Sequence, residues 1–81
     1  MKILQLYVSP GCPDCAALKG WLADHAIAWE EHDLSKSGVA EDAKRRLGVR
    51  VAPISVIHDQ VLYGTFAEQL PRLKVLLGIT D

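Results

Sequence analysis

Cysteine is scarce in this 81-residue sequence, with two residues in all. A small secreted scaffold stapled by disulfides would carry more, closing long loops. Charge of one sign is missing too: nine basic residues face ten acidic ones, for a formal net charge of -1. That balance speaks against nucleic acid as a main partner, because neutralising phosphates takes a basic surplus. No apolar run approaches the ~20 residues of a membrane span. The start, Met1-Lys2-Ile3-Leu4-Gln5-Leu6-Tyr7-Val8, is too short and too interrupted for a signal-peptide core. Repeats, low-complexity segments and linkers are absent as well. What remains reads as a soluble, cytoplasmic chain with one domain over residues 1–81. Its 49% hydrophobic and 23% charged residues are a globular composition. At this length a chain buries roughly 60–65% of its unfolded surface, enough for one core without staples.

The two cysteines stand together in Gly11-Cys12-Pro13-Asp14-Cys15. A bridge across so short a loop constrains little of the unfolded chain. The pair therefore points to redox chemistry or to half of a metal site. One C-x-x-C supplies two ligands where a zinc site takes four. His25, His32 and His58 show no ligand spacing and read as surface or helix-end residues, so no metal is expected. Three alternatives stay open: a pair of ordinary buried cysteines, an iron–sulfur cluster bridging two chains, and a binding module that does no catalysis.

Ile3 to Val8 is nearly all apolar and reads as a buried strand of a parallel or mixed sheet. Ser9-Pro10-Gly11 breaks it. A helix is predicted from about Pro13 to His25, with proline in its first turn and Cys15, Leu18 and Leu22 on one apolar face beside Trp21. Ile27 to Leu34 reads as a second strand. Val39, Ala43 and Leu47 mark a short helix that Gly48 ends. Its Lys44-Arg45-Arg46 run reads first as a solvated face suited to the helix dipole. Pro53 to Ile57 is a third strand, His58-Asp59 a hairpin turn, and Gln60 to Tyr63 a fourth strand. Thr65-Phe66-Ala67-Glu68 fits a capping box. Phe66, Leu70, Leu73 and Leu77 share one face of the helix it opens, and Gly78 closes it. Pro71 conflicts with a helix interior, so that helix is expected to start late or to have an irregular first turn. The order is β-α-β-α-β-β-α.

Cys12 falls at the start of the first helix, where free N–H groups and the dipole favour a thiolate. A cysteine so placed is the attacking sulfur. Cys15 lies one turn on, on the apolar face, and is placed to resolve a mixed disulfide. Asp14 between them opposes a thiolate, and Lys19 could offset it. In Arg50-Val51-Ala52-Pro53, a proline at the start of a strand removes a ladder donor. Either it is trans at the strand start, or a cis Ala52–Pro53 bond leaves the Ala52 backbone free to pair with an extended substrate.

Together, the C-P-x-C after the first strand, Val51-Ala52-Pro53 before the third and the β-β-α ending resemble the glutaredoxins and glutaredoxin-like redoxins. The likeness covers essentially the whole chain. It implies an α/β, thioredoxin-like fold of glutaredoxin size, a four-stranded mixed sheet flanked by three helices on both faces. The implied activity is electron transport by thiol–disulfide exchange, with Cys12 as nucleophile, Cys15 as resolver and a cis Pro53. By the same resemblance, Pro13, Arg50, Val51, Ala52, Pro53, Thr65 and Glu68 would bind a substrate strand or glutathione. Arg50, or Arg46, would meet the glycyl carboxylate. No bound cofactor is implied; glutathione would be a co-substrate. The partners would be a disulfide-containing protein and a source of electrons, glutathione or thioredoxin reductase, with the chain acting as a monomer. The chain departs from the family pattern in two places. Tyr7-Val8-Ser9-Pro10-Gly11 lacks the lysine that glutathione-using members carry before the first cysteine. Gly64-Thr65-Phe66-Ala67-Glu68 replaces their Gly-Gly-x-Asp, and only its Gly-Thr-Phe approaches the Ser-Gly-Phe-Arg of the redoxins that serve ribonucleotide reductase.

Overall fold

The computed structural model describes residues 4–79. Its elements are β1 (Leu4–Val8), α1 (Pro13–Asp24), β2 (Trp29–Asp33), α2 (Val39–Leu47), β3 (Ile54–Ile57), β4 (Gln60–Leu62) and α3 (Phe66–Leu77). They form one mixed sheet in the order β2-β1-β3-β4. β1 runs parallel to β2 and antiparallel to β3, and β3 runs antiparallel to β4. This is the thioredoxin-like arrangement expected. Ile3, predicted to open the first strand, lies outside the described residues.

β1 is apolar on both sides because both sides are covered. Leu4, Leu6 and Val8 pack with Cys15, Leu18 and Leu22 of α1, Ile57 of β3 and Leu73 of α3. Tyr7 faces the other way, into a smaller cluster with Leu34, Ile54 of β3 and Ala43 of α2. The alternation follows the two-residue period of a strand. The same period in β3 sends Ile54 to one face and Ser55 to the other.

The boundaries differ from expectation at points with local causes. β2 starts at Trp29 because the chain first has to leave α1. Ala26 takes a φ of 56°, and Ile27 N donates to Leu22 O at 2.9 Å. β3 starts one residue after Pro53, which has no N–H for the ladder. His58, at φ 56°, opens the two-residue hairpin turn, and β4 closes at Leu62, leaving Tyr63 outside. α3 neither starts late nor begins irregularly. Pro71 lies inside it. Its ring removes the donor for the Ala67 carbonyl, but Ala67 and Pro71 are both exposed, so solvent can meet that group. The inner face of α3 also differs. Gln69, not Leu70, takes the buried place one turn before Leu73.

Candidate active site

Gly11 carries a φ of 69°, a left-handed turn that glycine adopts without a Cβ penalty. It delivers Cys12 to the N-cap of α1, with Pro13 as the first helical residue. The Cys12 Sγ accepts from Cys15 N at 3.1 Å. The two sulfurs are joined in a disulfide, with Cα atoms 5.2 Å apart. Cys12 is half-buried, whereas Cys15 is 3% exposed and belongs to the core. Approach from solvent is therefore to the Cys12 sulfur.

Lys19 does not neutralise Asp14. Its Nζ lies 3.5 Å from Glu31 Oε1 on β2. Asp14 reaches across to α3 instead, where its Oδ1 accepts from Phe66 N at 3.1 Å. The predicted capping box is present: Thr65 Oγ1 accepts from Glu68 N at 3.1 Å, and Glu68 Oε1 accepts from Thr65 N at 2.8 Å. The Thr65 backbone N–H, and after it the Thr65 side chain, hold the Glu68 carboxyl below the usual glutamate range. Gly64, at φ 102°, comes so close that an added Cβ would stand 2.8 Å from Glu68 Oε1.

The Ala52–Pro53 bond is cis, and Pro53 is buried. Gln69, 2% exposed, ties this loop to α3. Its Nε2 donates to Pro53 O at 2.8 Å and to Gly64 O at 3.0 Å, and its Oε1 accepts from Ser55 Oγ at 2.6 Å. The spacing Phe66, Gln69, Leu73 was the signal for this residue: a polar side chain on a core-facing line.

A groove of about 550 Å³ runs beside the disulfide loop. It is lined by Asp14, Thr65 and Glu68 at the α3 end and by Ala52 and Pro53 along its wall, with Lys44 and Arg50 also lining it. Val51 and Tyr63, 75% and 64% exposed, are apolar surface on the same groove. The fold thus gathers Arg50, Val51, Ala52, Pro53, Thr65 and Glu68 on one groove, which Asp14, from the loop that carries the two cysteines, also lines. Pro13 is exposed and lines a separate shallow recess with Cys12, Cys15 and Lys19. Arg46 is not in the groove. It pairs with Asp42 at 3.3 Å and lines another recess, with Tyr7 and Val61. Lys44, read as a solvated residue, takes the place in the groove. Among the described residues no group of three or more His, Cys, Asp or Glu could hold a metal ion. No helix among them is long and apolar enough to cross a membrane.

A model of the glutaredoxin family matches residues 4–62, which include the cysteine loop, the cis-proline loop and all four strands. The chain belongs to the glutaredoxin family. Within this family's range, the glutaredoxin-like protein NrdH of Lactococcus lactis is 25% identical over 71 residues, 88% of this chain and 99% of that one. The global transcriptional regulator Spx of Streptococcus agalactiae is 37% identical over 35 residues, 43% of this glutaredoxin-family chain. That match spans only 26% of the regulator's length. Among solved structures, the thioredoxin-like protein BC3987 superposes with a TM-score of 0.77 at 28% identity, over 90% of this chain and 97% of that one.

Proposed function

We propose that this protein reduces disulfides through Cys12 and Cys15, with a disulfide-containing protein as substrate. The observation that carries the reading is the Cys12 sulfur at the N-terminus of α1, accepting a backbone N–H while Cys15 lies buried beneath it. In the reduced protein that N–H and the helix dipole favour a thiolate at Cys12. The thiolate attacks one sulfur of the substrate disulfide. A Cys12–substrate bond forms, the substrate S–S bond breaks, and the first substrate thiolate leaves and takes a proton. Cys15, after losing its proton, attacks the Cys12 sulfur. The mixed disulfide breaks, the second substrate thiolate leaves, and the Cys12–Cys15 bond closes. Two electrons have moved to the substrate, and the oxidised pair is the state seen here. An external thiol or dithiol reductase then returns two electrons. A pair of cysteines kept for this exchange suits a reducing, cytoplasmic setting.

NADPH consumption with an insulin-type protein disulfide tests the reading, with electrons fed by thioredoxin reductase or by glutathione and its reductase. Turnover with either system is expected. The Cys15→Ser variant should lose that turnover and accumulate a mixed disulfide at Cys12, visible by mass spectrometry of the unreduced protein. Inertness with both systems, together with no mixed disulfide in Cys15→Ser, would overturn it.

A further inference from the structure

The sheet face under α2 is only partly covered. Ala43 of α2 packs with Tyr7 and Ile54. The next row of the sheet, Gln5, Val56 and Val61, opens into a recess of about 340 Å³ beside the end of α2. Leu47, Val56 and Val61 give that recess its apolar surface. Its polar groups come from Gln5, Tyr7, Arg46, His58 and Asp59. None of these residues lines the groove or the recess at the cysteines.

Two features set this recess apart from bare surface. The first is Tyr7. It is 5% exposed and stacks on His32 with ring centroids 4.6 Å apart. A tyrosine so deeply placed normally spends its hydroxyl on a partner. The Tyr7 hydroxyl bonds to no described residue. Yet no polar side-chain atom among the described residues is both sealed from solvent and unpaired. The hydroxyl is therefore not walled in, and the recess that Tyr7 lines is where it opens. The second feature is His58. It opens the hairpin turn at φ 56°, a left-handed conformation that glycine takes with less strain. Strain of this kind gathers at ligand clamps and switches.

The charges select the ligand. On the α2 wall, Arg46 Nη1 donates to Asp42 Oδ2 at 3.3 Å, and the rest of its guanidinium fork has no partner among the described residues. On the hairpin wall, Asp59 Oδ1 accepts from Gln60 Nε2 at 3.4 Å, which leaves Oδ2 unbonded. Gln5 Oε1 accepts from His32 Nε2 at 3.1 Å, which leaves the Gln5 amide N–H groups. A lone anion would be drawn to Arg46 and opposed by Asp59. A lone cation would meet the reverse. A molecule that carries both charges satisfies both walls. The volume is at the small end of ligand sites, which run from ~300 to ~1,000 Å³. We infer that the recess binds a small zwitterion with an apolar body, an aliphatic α-amino acid. Its carboxylate meets Arg46, the Tyr7 hydroxyl and the Gln5 amide. Its ammonium meets Asp59, and its side chain lies on Leu47, Val56 and Val61. Such a site is separate from the disulfide exchange and stands or falls without it.

Titration of the intact oxidised protein with leucine, N-acetylleucine and leucinamide tests it, followed by proton–nitrogen correlation NMR. Leucine should shift the Gln5, Val56, His58 and Val61 signals saturably and leave those of Cys12, Cys15 and Thr65 in place. Blocking the ammonium or the carboxylate should each weaken binding about tenfold, the size of one charge-assisted hydrogen bond. In Asp59→Asn, leucine and N-acetylleucine should bind alike. In Arg46→Gln, leucine and leucinamide should. Tyr7→Phe should weaken leucine binding several-fold without lowering the thermal midpoint, because the hydroxyl it removes has no partner in the chain. No saturable shift with leucine overturns the inference, as does equal binding of the three ligands by the wild type. Leucine affinity unchanged in both Tyr7→Phe and Asp59→Asn overturns it as well.

Discussion

The N-termini of α1 and α3 both present free backbone N–H groups and partial positive charge, with one donor fewer at α1, where Pro13 has none, but their acceptors differ in kind. At α1 the capping atom is the Cys12 sulfur, which changes charge as the pair passes between disulfide and dithiol. At α3 the capping atoms are the Thr65 hydroxyl and the carboxylates of Glu68 and Asp14, which take no part in the thiol exchange. One end stabilises a charge that comes and goes. The other fixes a loop. Asp14 belongs to both, since it is in the first turn of α1 and bonds to the first residue of α3. A helix start becomes a reaction centre or a structural joint according to the acceptor it is given.

The largest effect should come from exchanging the acceptor at α1. Serine is a strong N-cap, so Cys12→Ser keeps the cap and removes the nucleophile. Disulfide reduction should fall to background. Stability, measured by urea unfolding against the reduced wild type, should move by no more than about 1 kcal/mol. Turnover persisting in Cys12→Ser would make the α1 terminus a structural cap like that of α3, and the contrast would be lost.

The next effect lies behind α3, at Gln69. Leucine is close to glutamine in volume, so Gln69→Leu tests the hydrogen bonds more than the packing. It leaves Ser55 Oγ and the Pro53 carbonyl without their buried partner. The expected cost is about 2–4 kcal/mol, since each buried polar group left unsatisfied costs roughly 1–3 kcal/mol. Adding Ser55→Ala should recover part of it, because one orphan disappears. A double variant no more stable than the single one would mean that Ser55 finds solvent, and that Gln69 holds only the proline loop.

These two residues also mark how far the sequence could be read. Cys12 was legible because everything that makes it reactive is local: Gly11 before it, Pro13 after it and a helix beginning there. The strands and the capping box were legible for the same reason, since period and cap chemistry are written within a few residues. Gln69 was not, because its partners are Ser55 and Pro53 in sequence-distant elements, and a polar residue on an apolar face has no fixed meaning until the facing atoms are known. Asp14 was read only against its neighbour Cys12. Its actual partner is 52 residues away, and that contact shifts its meaning from a brake on one thiol to a joint between two helices. Pro71 misled because propensity argues against it in any helix interior, while the exposed side of α3 tolerates the lost hydrogen bond.

The smallest effects belong to the α3 cap. Thr65→Ala should cost about 1 kcal/mol, the usual value of a lost N-cap hydroxyl. Glu68 gives the sharper measurement, because its contribution depends on pH. Its carboxyl is held below the usual glutamate range by the Thr65 N–H first and the Thr65 side chain second. A carboxyl whose pKa is lower folded than unfolded binds fewer protons in the native state, so it stabilises above its unfolded pKa. That contribution is complete at neutral pH. It declines as acid takes the pH through the unfolded value and then through the lower folded one. Urea midpoints of wild type and Glu68→Ala should therefore differ at pH 7 and converge in acid. Asp33 and Asp42 are also held low, by Ser35 and by Arg46 first and Arg45 after it. Their acid loss is shared by both proteins and cancels in the difference. A midpoint difference that stays constant down to pH 3 would mean that Glu68 caps α3 through its stem and not through its charge. The two helix ends would then differ in sulfur against hydroxyl alone.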